Sequence, residues 1–306
     1  MDGYKKILKS KNLRYGILFV MRLIPDKPML YLQYWIKHRR KLDFKNPRRF
    51  TEKIQWYKLY YKNPVMPICA DKYAVREYIR GKGLGSILTE LYAVFERPED
   101  IRLNQLPEKF VLKLSNGSGT NLLCRDKRKL TEPDVIRKFR QFVFQAKANP
   151  GREWPYTQAK PVIIAEQLLE DEAHVNNAVS DYKIFCYDGK PEYVICISDR
   201  YSDRCNHLVY DTRWNKILVA SEGARIEEDA PKPENLQEML DIAAKLSEEF
   251  PFARIDLYSL KGKIYFGEIT FYPWSGYMEF EPDEFDFDLG EKFVLRKHRE
   301  HRETEK

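Results

Sequence analysis

Phe250–Gly276 reads FPFARIDLYSLKGKIYFGEITFYPWSG, and the interpretation of this stretch decides the fold. In its first half Arg254, Asp256 and Tyr258 alternate onto one face, while Ala253, Ile255 and Leu257 share the other, as in a half-buried strand. The second half is rich in aromatic and β-branched residues, which suit a core strand. Yet Glu268 stands in its middle, with Thr270 two positions on and Pro273, Ser275 and Gly276 beyond. A tight turn at 260–262 would make the two halves a hairpin, with Asp256 near Phe266. Asp256 and Glu268 would then be diagonal neighbours about 7–8 Å apart. A slip of one residue would place them on opposite faces. Carboxylates gathered on one buried surface require cations. Hard oxygen donors of this kind suit magnesium, which takes one or two carboxylates together with substrate phosphates. An Arg254–Glu268 ion pair on the sheet surface is the other reading these residues allow.

The rest of the chain sets the frame. With 306 residues, 43% hydrophobic and 32% charged, a globular protein of one large or two ordinary domains is expected. The five cysteines and five histidines form no C-x-x-C or H-x-x-x-H pair, so neither a zinc site nor a disulfide framework is expected, and a reducing cytoplasm fits. No signal peptide is evident. The most apolar run, YGILFVMRLI at 15–24, is interrupted by Arg22 and falls short of a membrane span. Charge is unevenly distributed. Residues 1–60 carry 16 Lys and Arg against 4 Asp and Glu, a net of +12, whereas the remainder carries 37 against 42. This asymmetry points to an anionic partner for residues 1–60, either a membrane surface or a lipid-linked saccharide, placing the chain at the inner membrane face. Pairing of these cations with the acidic body is the alternative. No nucleic-acid motif occurs there, and no nucleic acid is expected as a partner.

Helices are expected at 4–24 and 28–42, separated by the prolines Pro25 and Pro28. A third helix, capped by Thr51, would follow. ADKYAVREYIRGKG (70–83) reads as a helix ending at its glycines. KFVLKLS (109–115) reads as a strand, and apolar spacing predicts a helix over LTEPDVIRKFRQFVFQAKA (130–148). PGREWPYTQAKP (150–161) is a Pro- and Gly-punctuated connector. Beyond it come a strand at PVIIAEQLL, a hairpin turning at Asp188-Gly189, a helix over PENLQEMLDIAAKLSEEF, and the closing hairpin. The mixture is α+β. The expected division is a basic helical segment over 1–66, subdomains over 67–160 and 161–292, and a charged tail over 293–306.

Two further clusters bear on chemistry. Lys113 ends an apolar strand, where a lysine needs an anion, and the following Asn116-Gly117-Ser118-Gly119 offers backbone N–H groups that could close over phosphates. The spacing is not that of a P-loop, and a glycine loop alone is equally a simple turn. Asp181 and Lys183 alternate onto one face of DYKIF, and Arg200 ends the return strand. Such alternation also describes the solvent face of a hairpin.

Taken in order, ADKYAVREYI, KFVLKLSNGSG, IIAEQLLED, DYKIFCYDGKP and the closing hairpin resemble the TupA-like ATP-grasp proteins, associated with teichuronopeptide, capsule and other bacterial surface polysaccharides. The resemblance implies an ATP-grasp fold, two α+β subdomains clamping ATP and Mg2+. It implies that Lys72 and Lys113 contact the nucleotide phosphates, with the loop Asn116, Gly117, Ser118 and Gly119 closing over them. Glu166, Gln167 and Leu168 would form the hinge beside adenine, and Asp181 would face the ribose. Lys183, Arg200 and Arg254 would stabilise the reacting phosphoryl group, and Asp256, Glu268 and Thr270 would hold magnesium. Relatives usually carry asparagine where Thr270 stands, and the usual domain ahead of the grasp is replaced by the basic segment. The activity implied is a carboxylate–amine ligase acting through an acyl-phosphate. A glycosyltransferase using a nucleotide sugar on the same scaffold is the second expectation, with GREWPY (151–156) available to contact a sugar.

Overall fold

The computed structural model describes residues 11–174, 177–198, 205–221 and 229–296. Arg200, expected at the phosphoryl group, lies outside these residues, as do positions 4–10 of the first expected helix and the tail from 297 onward.

Two antiparallel sheets organise the chain. The first contains β1 (Leu91–Phe95), β2 (Phe110–Leu114), β3 (Asn121–Cys124) and β4 (Ile163–Glu166) in the order β1-β4-β2-β3. Its apolar face, including Phe110, Leu112 and Ala165, packs with Phe139 and Phe142 from the helix Glu132–Lys147, whose N-cap is Thr131. The second sheet joins β5 (Asp181–Tyr187), β6 (Lys190–Ser198), β7 (Asn206–Asp211) and β8 (Lys216–Ile217) to β10 (Ala253–Leu260) and β11 (Lys263–Thr270), in the order β11-β10-β5-β6-β7-β8. Two short strands, β9 (Ala220–Ser221) and β12 (Phe280–Glu281), pair separately.

The expected hairpins form as the turn residues dictate. Asp188 and Gly189 both adopt positive φ between the paired Tyr187 and Lys190, and Lys261 and Gly262 do the same between Leu260 and Lys263. These are type I′ geometries, whose twist matches that of the flanking strands. The helix Leu236–Ser247 lies over β5, β6 and β10, burying Met239, Ala243 and Leu246 against Ile184 and Ile255.

Four expectations are corrected. The connector at 150–161 does not separate the sheets. β4 lies beyond it yet pairs with β1 and β2, while Cys69, Val75 and Ile79, placed before it, pack into the core of the second sheet. Strand pairing, not loop composition, sets the division. Pro28 does not begin a helix but sits in the first turn of Asp26–His38, where its missing N–H leaves no hydrogen bond unmade. Thr51 is not a cap. The helix Phe50–Tyr60 has Arg49 as its N-cap, with the Glu52 carboxylate accepting from the Arg48 and Arg49 N–H groups. Thr51 donates from both backbone N–H and hydroxyl to Asp286, at 2.9 and 2.7 Å, so a carboxylate from the far end of the chain terminates this helix. Asp286 belongs to a helix, Glu284–Lys292, that packs across Phe50–Tyr60. The following Phe293, placed in the tail by its sequence, is fully buried against Phe50, Tyr57 and Phe252.

Candidate active site

The polar face of the second sheet carries the densest charge cluster. A bulge at Gly267 shifts the register of the β10–β11 pair, so Asp256 stands directly opposite Glu268, and Arg254 opposite Thr270. This corrects the diagonal placement drawn from an unbroken hairpin. One extra residue in β11 advances Glu268 by one position, and a bulge re-aims the side chains that follow it. On the other side β5 places Lys183 opposite Asp256. The result is a connected network. Arg254 donates bidentately to Asp256 at 2.6 and 2.7 Å and reaches Glu268 at 3.0 Å and the Thr270 hydroxyl at 3.1 Å. Thr270 in turn donates to Glu268 at 3.0 Å. Lys183 bridges Asp256 and Asp181 at 2.5 and 2.7 Å. The Arg254–Glu268 ion pair and the carboxylate cluster are therefore features of one network.

The two facing carboxylates are held differently. Burial pushes Asp256 up to about 6, against the pull of Arg254 and Lys183. Burial also acts on Glu268, but the positive charges of Lys72, Arg254 and Lys183 outweigh it and hold this group down at about 2. Glu268 is also the more open of the two, its side chain 38% exposed against 2% for Asp256.

Across from this surface stand Lys113 of the first sheet and the cations Lys72 and Arg76 from the segment around the helix Val75–Gly81. A cleft is lined by Lys72, Arg76, Lys113 and Glu166 on one side and Phe266 and Gly267 of β11 on the other. Lys113 projects from β2 and pairs with Glu166 at 2.9 Å, while Arg76 pairs with the same carboxylate at 3.3 Å and with the Thr89 carbonyl at 2.7 Å. Glu166 thus points its side chain at cations, and beside it the Gln167 N–H is bonded to the Glu90 carbonyl at 2.9 Å. Lys72 lies 3.9 Å from Glu268 and donates to the Gly117 carbonyl at 2.7 Å. Asn116 is tied to the Tyr156 carbonyl, while Ser118 and Gly119 are exposed at the tip. A Cβ on Gly117 would lie 2.1 Å from the Thr120 hydroxyl oxygen, so a larger residue here would force the Thr120 side chain to move.

Three participants carried weak sequence signals. Arg76, nearly buried beside Glu166, sits within an ordinary-looking helix. Lys58 and Glu153 brace the segment Pro273–Gly276 that follows β11. Lys58, only 1% exposed, donates to Gln55 at 3.0 Å and to the Ser275 carbonyl at 2.8 Å, and Ser275 donates to the Glu153 carboxylate. Ile54, Lys58 and Tyr61 recur at helical spacing on a buried stripe, so a lysine on that stripe was the available clue. The braced segment places Trp274 over the Arg254 guanidinium, 5.0 Å from its ring centroid. GREWPY is accounted for by packing. Arg152 is buried on the Met21 and Ile24 carbonyls, and Trp154 lies under Lys62.

Two lobes, each with an antiparallel sheet, thus present cations and a glycine loop to facing carboxylates, the arrangement of an ATP-grasp protein. The chain matches the TupA-like ATP-grasp family over residues 52–294 and belongs to it. It is also similar in fold to solved structures. Against D-alanine–D-alanine ligase from Bacillus anthracis the identity is 20%, covering 66% of this chain and 57% of that one, with a TM-score of 0.40. Against L-amino acid ligase from Bacillus licheniformis it is 16%, covering 74% and 49%, with a TM-score of 0.44. Against D-alanine–D-alanine ligase from Helicobacter pylori it is 14%, covering 74% and 62%, with a TM-score of 0.41. The chain spans less than two thirds of each of these proteins. Comparison with curated proteins finds no match.

Proposed function

We propose that the chain is an ATP-dependent ligase joining a carboxylate to an amine, with the nucleotide in the cleft between the two sheets. The observation that carries this reading is the placement of Asp256 opposite Glu268, with Arg254 and Lys183 among them and Lys72 and Lys113 across the cleft.

The residues fit magnesium by the chemistry of the donor set. Two carboxylates and a hydroxyl on adjacent strands are hard oxygen donors, and the exposed side of Glu268 faces Lys72, where phosphates would lie. Among the described residues no group of three or more His, Cys, Asp or Glu could hold a metal ion. Asp256, Glu268 and Thr270 would hold magnesium, and when bound it would neutralise charge developing on the transferred phosphoryl group.

In this reading Lys72, Lys113 and the Asn116–Gly119 loop orient the phosphates, the hinge backbone at 167–168 borders adenine, and Asp181 lies toward the ribose. Arg254 and Lys183 stabilise the phosphoryl group in flight. A substrate carboxylate oxygen forms a bond to the γ-phosphorus as the bond to ADP breaks. The substrate amine then attacks the acyl-phosphate carbon, phosphate leaves, and the amine gives up a proton. Surface-polysaccharide assembly, with a uronic acid or similar carboxylate as substrate and a lipid-linked acceptor, is the setting proposed for this chemistry.

Calorimetry with ATP and with UDP-sugars, each with magnesium, tests the reading. ATP is expected to bind and the sugar nucleotides are not. Lys113→Ala should weaken ATP binding at least about tenfold, one charge-assisted contact being worth ~1.5–3 kcal/mol. Selective binding of a nucleotide sugar would overturn the ligase reading in favour of glycosyl transfer.

A further inference from the structure

The helix Asp26–His38 is apolar on two opposite sides. Met29, Leu30 and Tyr34 are buried in the body. Tyr31, Leu32, Trp35 and Ile36, at helical spacing on the other side, are exposed, Trp35 by 53%. A surface helix ordinarily turns polar residues to that side. Just ahead of it Leu23 is 88% exposed. Among the described residues nine of the 17 exposed large hydrophobics fall between Ile17 and Ile36, so the exposure is concentrated rather than scattered. Cations are interleaved with this patch. Arg39 lies over the Trp35 ring at 5.3 Å and Arg22 over Phe19 at 5.0 Å.

We infer that this face docks on an anionic lipid bilayer. An apolar stripe rimmed by arginine and lysine matches an interface where acyl chains accept Leu and Trp and headgroup phosphates accept the cations. Charge decides among occupants. Over residues 17–40 Arg22, Lys27, Lys37, Arg39 and Arg40 stand against Asp26 alone, a net of +4, so two copies of this face repel each other, whereas an anionic surface attracts both the stripe and its rim. No helix among the described residues is long and apolar enough to cross a membrane, so the contact is peripheral.

The face is fixed to the cleft. Arg152 donates to the Met21 and Ile24 carbonyls and to Asp26, at 2.5, 2.8 and 2.9 Å. From the buried side of the helix Gln33 bonds the Pro150 carbonyl and the Tyr277 hydroxyl, each at 2.9 Å. Tyr277 follows the segment that holds Trp274 over Arg254. Docking therefore orients the site relative to the lipid surface. The inference stands on exposure and charge and does not depend on the ligase reading.

Flotation of the full chain with phosphatidylcholine vesicles, with and without phosphatidylglycerol, tests it. Binding is expected only to the anionic vesicles and should fall with salt. The double variant Leu32→Glu, Trp35→Glu should abolish flotation, and because both side chains are exposed the circular dichroism should be unchanged. If that variant misfolds, the milder Leu32→Ala, Trp35→Ala pair should still lower binding. Arg39→Ala should lower the partition coefficient about fivefold, while Arg128→Ala on the other lobe should not change it. Absence of flotation, flotation indifferent to the Leu32 and Trp35 variants, or a dimer that those variants dissociate would overturn the inference. ATP binding serves as the separate readout of the nucleotide site.

Discussion

Asp256 and Glu268 face each other across one strand pair, and the fold treats them oppositely. Glu268 is held at about 2, below the ordinary value of 4.5, so its ionised form is favoured by folding. That contribution is present above 4.5 and is lost as pH falls through 2. Asp256 is raised from 3.8 to about 6. Its contribution has the opposite sign, present below 3.8 and lost as pH rises through 6. Glu268→Gln should therefore destabilise the protein slightly above pH 4.5, by about 1 kcal/mol at most, since the side chain is partly solvated. The difference from the parent should close as pH falls toward 2. Urea unfolding midpoints measured across this range check it, and a difference independent of pH would contradict the electrostatic account. The residue types and the Arg254–Glu268 pair were legible in the sequence, but the direct apposition of the two carboxylates was not. Alternation places Asp256 and Glu268 on one face, whereas the bulge at Gly267 alone makes them direct neighbours.

At the scale of elements, the helix Phe50–Tyr60 is the brace of the site. It grips the segment after β11, where Trp274, Ser275 and Gly276 all adopt left-handed backbone conformations. Such strain persists only where surrounding contacts over-determine it. Gln55 donates to the Ser275 and Gly276 carbonyls at 3.1 and 2.9 Å, and Lys58 adds a third bond. A Cβ at Gly276, where φ is +66°, would lie 2.5 Å from both Ile54 and Gln55 side chains. Gly276→Ala is expected to cost ~1–3 kcal/mol and to release Trp274 from Arg254. A lower thermal midpoint together with increased acrylamide quenching of tryptophan would register both effects. An unchanged midpoint would show that the segment tolerates the strain without its brace. The same helix closes another end of the chain, for Lys53 donates to the Gly290 and Phe293 carbonyls at 2.7 and 2.8 Å, satisfying the last turn of Glu284–Lys292.

At the scale of the whole molecule, the first and last described segments are one structural unit. Phe293 fills a fully buried aromatic cluster with Phe50, Tyr57, Tyr187 and Phe252. Removing it leaves a cavity beneath the second sheet. Phe293→Ala is expected to destabilise by ~3–5 kcal/mol, as measured by denaturant unfolding, and a cost below about 1 kcal/mol would mean that the cluster collapses around the loss.

The sequence by itself determined β2, β4 and the two hairpins with their turns. Alternation, Asp188-Gly189 and Lys261-Gly262 dictate hairpins through local backbone preference, and the ordered motifs disclosed the family. It also singled out Lys113, Asp256 and Glu268 as misplaced charges in apolar strands. Contacts between distant residues were left to the tertiary structure. Glu166 turns to Lys113 and Arg76, Asp286 terminates the helix Phe50–Tyr60, and β4 crosses an apparent boundary to join the first sheet. Each depends on which groups meet after burial, and a buried charge accepts the partner that packing brings within reach. Local patterns carry no record of that partner.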